Sequence, residues 1–317
     1  MLKLHLDTDL GGDIDDLCAL ALVLNWPEAQ LLAVTTNLED QGIRAGYVRY
    51  VLALAGRAAT PVAAGADRSL GCFRIKPHVP LVPDESVYWP EPVAPAPTTL
   101  DEALVLLERS IEQGATIAAI GAFTNLALLE RRKPGILRAA RLYLMGGYVF
   151  PPRAGFPPFT NEMDWNVQVD AQSALYVLQH SSPTLVPLSI TIETSLRRKY
   201  LTRLRQAGPL AQLIARQAEA WAKDEQKETR YGQKYTALPD DLINFQHDPL
   251  TCAIALGWHE GVEISEIPLT FEIRDSYLWQ RVDDKNGKPT KVVTRVAGDR
   301  FSEFWLDVVT RQEPDTP

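Results

Sequence analysis

The sequence predicts an α/β protein with a mostly parallel central sheet, helices on both faces, and a small β-hairpin and helix at the C-terminus, in one domain spanning residues 1–317. Three observations carry that prediction. Short apolar runs alternate with helical patterns through the first two-thirds of the chain, and such strand–helix repetition builds parallel sheets covered on both sides. The helical stretches keep apolar residues at three- and four-residue spacing. Near the end the pattern changes to strands around an Asn-Gly turn, a hairpin signal.

Strands are expected at Leu2–Leu6, Leu31–Thr36, Pro61–Gly65, Thr116–Gly121, Arg141–Met145 and Thr184–Ile190. A helix opens near Ile14 and presents Leu17, Leu20, Ala21 and Leu24; a second uses Ile43, Tyr47, Tyr50, Val51 and Leu54; a third uses Leu100, Leu104, Leu107 and Ile111. Another runs from Pro209 to about Thr229, and one opens at Asp248, with Pro249 at the first helical position, where its missing N–H is tolerated. Phe271–Val296 reads as strands around Lys285-Asn286-Gly287, and Asp299–Val309 as a closing helix. Two proline-rich loops, Ala66–Thr98 and Tyr148–Met163, follow strands. Loops this long are usually functional, and parallel sheets gather ligands at the carboxyl ends of their strands.

Composition narrows the function classes. Hydrophobic residues at 46% and charged residues at 23% suffice for a sizeable core. A net charge of -8, from 40 acidic and 32 basic residues, argues against a nucleic-acid partner, which needs a clustered basic surface. Cys18, Cys72 and Cys252 form no CxxC pair, so reduced thiols in a cytoplasmic setting are expected. The N-terminus opens directly on a strand, without a signal-peptide pattern. No window approaches the ~20 apolar residues of a membrane span.

The strongest feature is Asp7-Thr8-Asp9-Leu10-Gly11-Gly12-Asp13-Ile14-Asp15-Asp16, five carboxylates in ten residues between a strand and a helix. Like charges this close resist ionisation unless something compensates them. A hard divalent cation such as Ca²⁺ or Mg²⁺, which prefers oxygen ligands, would do so. Two glycines let the backbone turn under an ion, and the N-terminal amides of the following helix favour negative charge. The plainer reading is an acidic helix cap on a solvated loop. An EF-hand is excluded because the twelfth position counted from Asp7 is Cys18 rather than Glu. A second acidic spot, His247-Asp248-Pro249-Leu250, reads either as a simple cap or as a further carboxylate for an oxygen cage, with His247 as general acid or ligand.

Six ordered blocks over about residues 1–260 resemble the nucleoside hydrolase family of the inosine–uridine-preferring type. They are Asp7-Thr8-Asp9-x-Gly with Asp15-Asp16, Pro61 to Arg68, Gly121-Ala-Phe-Thr-Asn-Leu-Ala127, Leu144-Met-Gly-Gly147, Asp164-Trp-Asn-Val-Gln-Val-Asp170 and His247-Asp248-Pro249-Leu250. The resemblance implies a nucleoside hydrolase-like fold and one Ca²⁺. The ion would be held by Asp9, Asp16, the Thr124 carbonyl and Asp248, with Asp9 also the general base on water. It assigns Asp15, Asp40, Met145, Asn161, Asp164 and Asn166 to the sugar pocket and His247 to the leaving base. It also implies a nucleoside or related riboside as substrate and a dimer or tetramer as the assembly.

The chain departs from the pattern in places. Two extra residues separate Asp9 from Asp15-Asp16, so Asp13 could replace one of that pair. Asp164 stands for the usual Glu, Asp40 for the usual Asn, and a His-Gly pair after the third strand is missing, His78 being the sole histidine there. The chemistry suits the residues. N-glycosidic cleavage passes through an oxocarbenium-like state, and a metal makes water more acidic. A carboxylate then takes the proton while its neighbours stabilise positive charge on the sugar.

Among the aromatics, Trp165 is expected to pack inward. Trp89, Tyr88, Phe156 and Phe159 suit either stacking on a base or anchoring of loops, and Tyr231 and Tyr235 are placed at the pocket. Two rival functions keep the same residues. One is an Asp-x-Asp phosphatase with an aspartyl-phosphate intermediate; the other is a non-catalytic nucleoside- or sugar-binding protein.

Overall fold

A computed structural model describes residues 1–67 and 85–311. His78, Cys72 and Arg68 fall outside them. The strands are β1 (Leu2–Thr8), β2 (Ala29–Thr36), β3 (Val62–Ala64), β4 (Thr116–Ala119), β5 (Arg141–Met145), β6 (Thr184–Val186), β7 (Ser195–Arg197), β8 (Leu242–Phe245), β9 (Glu263–Arg274), β10 (Tyr277–Val282) and β11 (Lys288–Arg295). The longer helices are α1 (Ile14–Asn25), α2 (Ile43–Leu54), α3 (Leu100–Glu112), α4 (Thr124–Arg132), α5 (Ala171–His180), α6 (Pro209–Glu225), α7 (His247–Ala255) and α8 (Gly298–Val309).

Nine strands form one sheet in the order β10-β9-β11-β6-β5-β4-β1-β2-β3, while β7 and β8 pair separately. From β3 across to β11 the ladders are parallel; those of β9 with β10 and β11 are antiparallel. The period-two alternation of a strand splits the core into two layers. Ala118 of β4 belongs to the apolar layer that holds α1, α2, α6, α7 and α8, and its neighbours Ile117 and Ala119 to the layer that holds α3, α4 and α5. The expected mostly parallel sheet with helices on both faces, closed by C-terminal strands and a helix, is what forms. Among the described residues no helix is long and apolar enough to cross a membrane.

Several boundaries move for local reasons. Thr184–Ile190 stops as a strand at Val186, because Pro187 withdraws a ladder donor and Leu188–Thr191 coils into a short helix. The Asn286-Gly287 turn joins β10 to β11, but β9 lies between them. The tight hairpin turn is Asp275-Ser276, with φ of 52° and 67°, the left-handed pair that a type I′ turn demands. Helix α7 starts at His247 with Gln246 as its cap, so Asp248 lies inside the first turn rather than capping it. Helix α6 ends at Gln226, in the left-handed region, and a wide turn over Glu228–Gly232 follows.

The carboxyl ends of β1, β4 and β5 lie side by side, since β4 sits between the other two. The acidic loop leaves β1 at this edge, and residues 120–123 and 146–147 leave β4 and β5 there. Helix α7 packs against α1, β4 and β5 and so delivers the second acidic spot to the first.

Candidate active site

The two ends of the chain meet. Carboxylate oxygens of Asp15, Asp16 and Asp248 lie within 4.8 Å of one another, and all three residues are buried. The backbone N–H of Asp248 donates to Asp15 Oδ2 at 3.2 Å across 233 residues of sequence. Thr8 donates its hydroxyl to Asp16. These few donors do not balance three carboxylates. Burial, and after it the repulsion of neighbouring carboxylates (Asp13 on Asp15, Asp9 and Asp15 on Asp16, Asp15 and Asp16 on Asp248), pushes all three well above the ordinary carboxylate range. An all-oxygen, anionic, buried donor set is the chemistry a hard divalent cation fits.

Asp9 stands beside this trio. Its repulsion is among the causes that raise Asp16 and Asp248. Burial raises its own carboxyl, opposed by the Arg44 guanidinium and by the Trp165 indole N–H, which donates to Oδ2 at 3.4 Å. Trp165 is 52% exposed, so the expectation that it packs inward is wrong: Asp164 caps the short helix Trp165–Gln168, and that start turns the indole toward Asp9. A β-carbon at Gly121 would approach Asp9 Oδ1 to 2.8 Å, which brings the start of the Gly121–Ala127 block against Asp9.

Asp13 does not join the trio. It caps α1, accepting from Asp15 N at 3.4 Å and from Asn244 Nδ2 at 2.8 Å. The two-residue lengthening of the loop is clasped from above. Arg44, buried within α2, donates to Leu38 O at 3.1 Å and to Glu85 Oε1 at 3.5 Å, and Glu85 accepts from the Gly12 backbone. A β-carbon on Gly11 would collide with this ion pair, so a larger residue there would have to displace Glu85 and Arg44.

The predicted sugar pocket separates into parts. Asn166 lies at the carboxyl ends of β4 and β5, donating to Ile120 O at 2.9 Å and Met145 Sδ at 3.2 Å. Met145 therefore shares that wall. Thr124 opens α4 and gives its hydroxyl to Asp170 at 2.7 Å. Asp164 is occupied by the backbone, accepting from Gly147 N at 2.5 Å and Val167 N at 3.4 Å; burial pushes its carboxyl up to about 7. Asn161 donates to Leu278 O at 2.9 Å and accepts from Gln168, which ties its amide to β10. Asp40 is exposed, and the buried carboxylate of its turn is Glu39, which caps α2 through Ala45 N at 2.8 Å.

An aromatic wall flanks the cluster. Phe245 lies 5.5 Å from the His247 ring and 5.8 Å from Tyr231, which in turn lies 5.4 Å from Phe159. Tyr88 sits over Gly12 and 5.5 Å from Trp221. His247 is bound through Nδ1 to Thr191 Oγ1 at 2.7 Å, and burial followed by the Lys227 charge pushes it down to about 3, so it is neutral near pH 7.

Asp7, first of the five loop aspartates, plays another part. It is fully buried and accepts from Thr35 Oγ1 at 2.6 Å, Asn37 Nδ2 at 2.6 Å and Asn125 Nδ2 at 2.8 Å. An aspartyl nucleophile needs a free, accessible oxygen, so this bonding counts against the phosphatase reading. Sequence reasoning missed Arg44, Glu85, Lys227 and Asn244. Arg44 alone left a trace, a charge among the apolar positions of α2.

The sequence and the fold agree with known proteins. Residues 4–303 match the model of the inosine-uridine preferring nucleoside hydrolase family. The pyrimidine-specific ribonucleoside hydrolase RihA of Klebsiella pneumoniae subsp. pneumoniae is 31% identical over 265 residues, 80% of this chain and 78% of that protein. RihA of Salmonella arizonae is 29% identical over 270 residues, again 80% of this chain and 78% of that protein. Among solved structures, a plant nucleoside hydrolase, PpNRh1, superposes with a TM-score of 0.80 at 19% identity, covering 98% of this chain and 99% of its own. The purine-preferring ribonucleoside hydrolase of Gardnerella vaginalis gives 0.78 at 20% identity, covering 97% and 98%. With the family match spanning nearly the whole chain and the acidic loop brought to α7, this protein belongs to the inosine-uridine preferring nucleoside hydrolase family.

Proposed function

We propose that the chain is a Ca²⁺-dependent ribonucleoside hydrolase, cleaving the N-glycosidic bond to ribose and free base with Asp9 as general base. The observation that carries this reading is the meeting of Asp15, Asp16 and Asp248 at the carboxyl edge of the sheet, in a chain of this family. Asp9, Asp16, the Thr124 carbonyl and Asp248 would hold the ion, with Asp15 beside Asp16 and Asp248 and available to a ribose hydroxyl. When bound, Ca²⁺ would attract the ribose hydroxyls and the attacking water and make that water more acidic. Asp9 takes the water's proton at hydrogen-bond range, and its raised affinity for a proton suits a base. Trp165 holds the Asp9 carboxylate in place from the open side. The remaining carboxylates favour positive charge on the ribosyl carbon as the bond to the base lengthens. Asn166 and Met145 form the floor for the sugar, and Tyr231 and Trp221, backed by buried Phe245, form the wall against which a planar base stacks. A reducing, cytoplasmic setting belongs to the same reading, supported by the buried free thiols of Cys18 and Cys252.

The test is ribose release from a panel of purine and pyrimidine ribonucleosides, with Ca²⁺ and with chelator. Release should depend on Ca²⁺. Asp9→Ala should lose about 10²- to 10⁴-fold in kcat while keeping its circular dichroism spectrum. Tight nucleoside binding without product would favour the non-catalytic alternative. Substantial residual turnover by Asp9→Ala would remove Asp9 from the role of base.

A further inference from the structure

His247 has its Nδ1 engaged with Thr191 Oγ1 at 2.7 Å. A cation on that side of the cluster is Lys227. The left-handed Gln226 ends α6 and turns the next residues toward β8. Lys227 Nζ lies 5.3 Å from the Trp221 ring centroid and 6.0 Å from that of Phe245, between the aromatic side chains that form the wall. It donates to Asn244 Oδ1, and Asn244 in turn donates to Asp13 Oδ1 at 2.8 Å. An ammonium has three donors, and among the described residues one is engaged. That chain of hydrogen bonds runs on to the acidic loop, where Asp13 accepts from Asp15 N at 3.4 Å.

We infer that Lys227 is the leaving-group acid, giving a proton to the base as the glycosidic bond breaks. The inference rests on the ribohydrolase reading. Aromatic rings stacked on a planar base would set its edge within reach of an ammonium held in the same wall. The attacking water forms the new C1′–O bond and loses a proton to Asp9. The C1′–N bond breaks with its electron pair passing to the base, which takes one proton from Lys227. The products are ribose and neutral base, and solvent returns the proton to Lys227 and removes it from Asp9. The bland alternative makes Lys227 only an anchor for Asn244 and Asp13.

The two roles separate with a substrate whose leaving group needs no proton. Inosine, uridine and p-nitrophenyl riboside are compared in wild type, Lys227→Met and Asn244→Ala, each verified as folded by thermal melting. If Lys227 is the acid, Lys227→Met loses about 10²-fold or more in kcat on the nucleosides, while p-nitrophenyl riboside loses far less. Asn244→Ala, which keeps the ammonium, lowers both substrates alike. An unchanged ratio of the two rates in Lys227→Met, with an active wild type, overturns the role of Lys227 alone. A wild type that releases ribose from none of the substrates overturns this proposal and the ribohydrolase reading together.

Discussion

Two sets of buried carboxylates share one end of β1 and differ in who satisfies them. Asp7 is surrounded by neutral donors: Thr35, Asn37 and Asn125. Thr35 is backed in turn by buried His5, whose other nitrogen meets Ser110 at 2.8 Å. Asp15, Asp16 and Asp248 face mainly one another. Burial alone therefore says little about function. A carboxylate whose lone pairs are filled by the fold is scaffold, whereas carboxylates that repel one another in a low-dielectric site are waiting for a charge from outside.

That comparison can be broken by melting curves. Saturating Ca²⁺ should stabilise the wild type, by about 2.7 kcal/mol at a hundredfold excess over Kd, and should leave Asp248→Asn unmoved. In chelator, Asp248→Asn should melt at or above the wild type, because removing a charge relieves repulsion. A metal-free Asp248→Asn that melts well below wild type would show that the trio, too, is scaffold.

Asp7→Asn should behave oppositely. It sets an amide donor against either Asn37, which bonds Oδ1, or Thr35 and Asn125, which bond Oδ2, and a buried group left unpaired costs about 1–3 kcal/mol. Its denaturation midpoint should fall with or without Ca²⁺, while the Ca²⁺-induced shift survives. Loss of the shift would tie Asp7 to the ion.

The smallest effect sharpens the boundary between the two classes at Asp164, where two backbone N–H groups meet a carboxyl pushed up to about 7. The folded chain keeps a proton there that the unfolded chain releases near pH ~4. Folding stability from this group is therefore greatest at low pH, falls as pH rises through that window, and is level above about 7. Asp164→Asn removes the slope, so in metal-free denaturant titrations the gap between variant and wild type should narrow from pH 5 to pH 7. A gap independent of pH would mean that Asp164 is ionised throughout.

Much of the fold was legible because period-two and helical spacing are local signals. β5 falls on its expected range, and α1 opens at Ile14, where the acidic run gives way to apolar spacing. The errors arose where a distant partner decides. Asn286-Gly287 carries the hairpin signature, yet β9 takes the place between β10 and β11. In the site, the aspartate run and His247-Asp248 stood out because charge density is visible in a string. The division of labour among the aspartates did not, since it depends on which donors reach each oxygen. Asp13 went to the helix cap and Asp7 to the scaffold. Asn161 resembles a sugar ligand in sequence, and only the fold shows that its amide also bonds to β10.

By itself, then, the sequence determined the alternation that builds a parallel sheet, the position of the acidic loop at a strand's carboxyl end, and the family. Only the tertiary structure decided which carboxylates converge, that Arg44 and Glu85 clasp the lengthened loop, that Trp165 faces Asp9, and that Lys227 stands in the aromatic wall. The physical reason is range. Backbone propensity and side-chain periodicity act over a few residues, while desolvation, repulsion and hydrogen-bond satisfaction are settled by neighbours that the chain brings from far away.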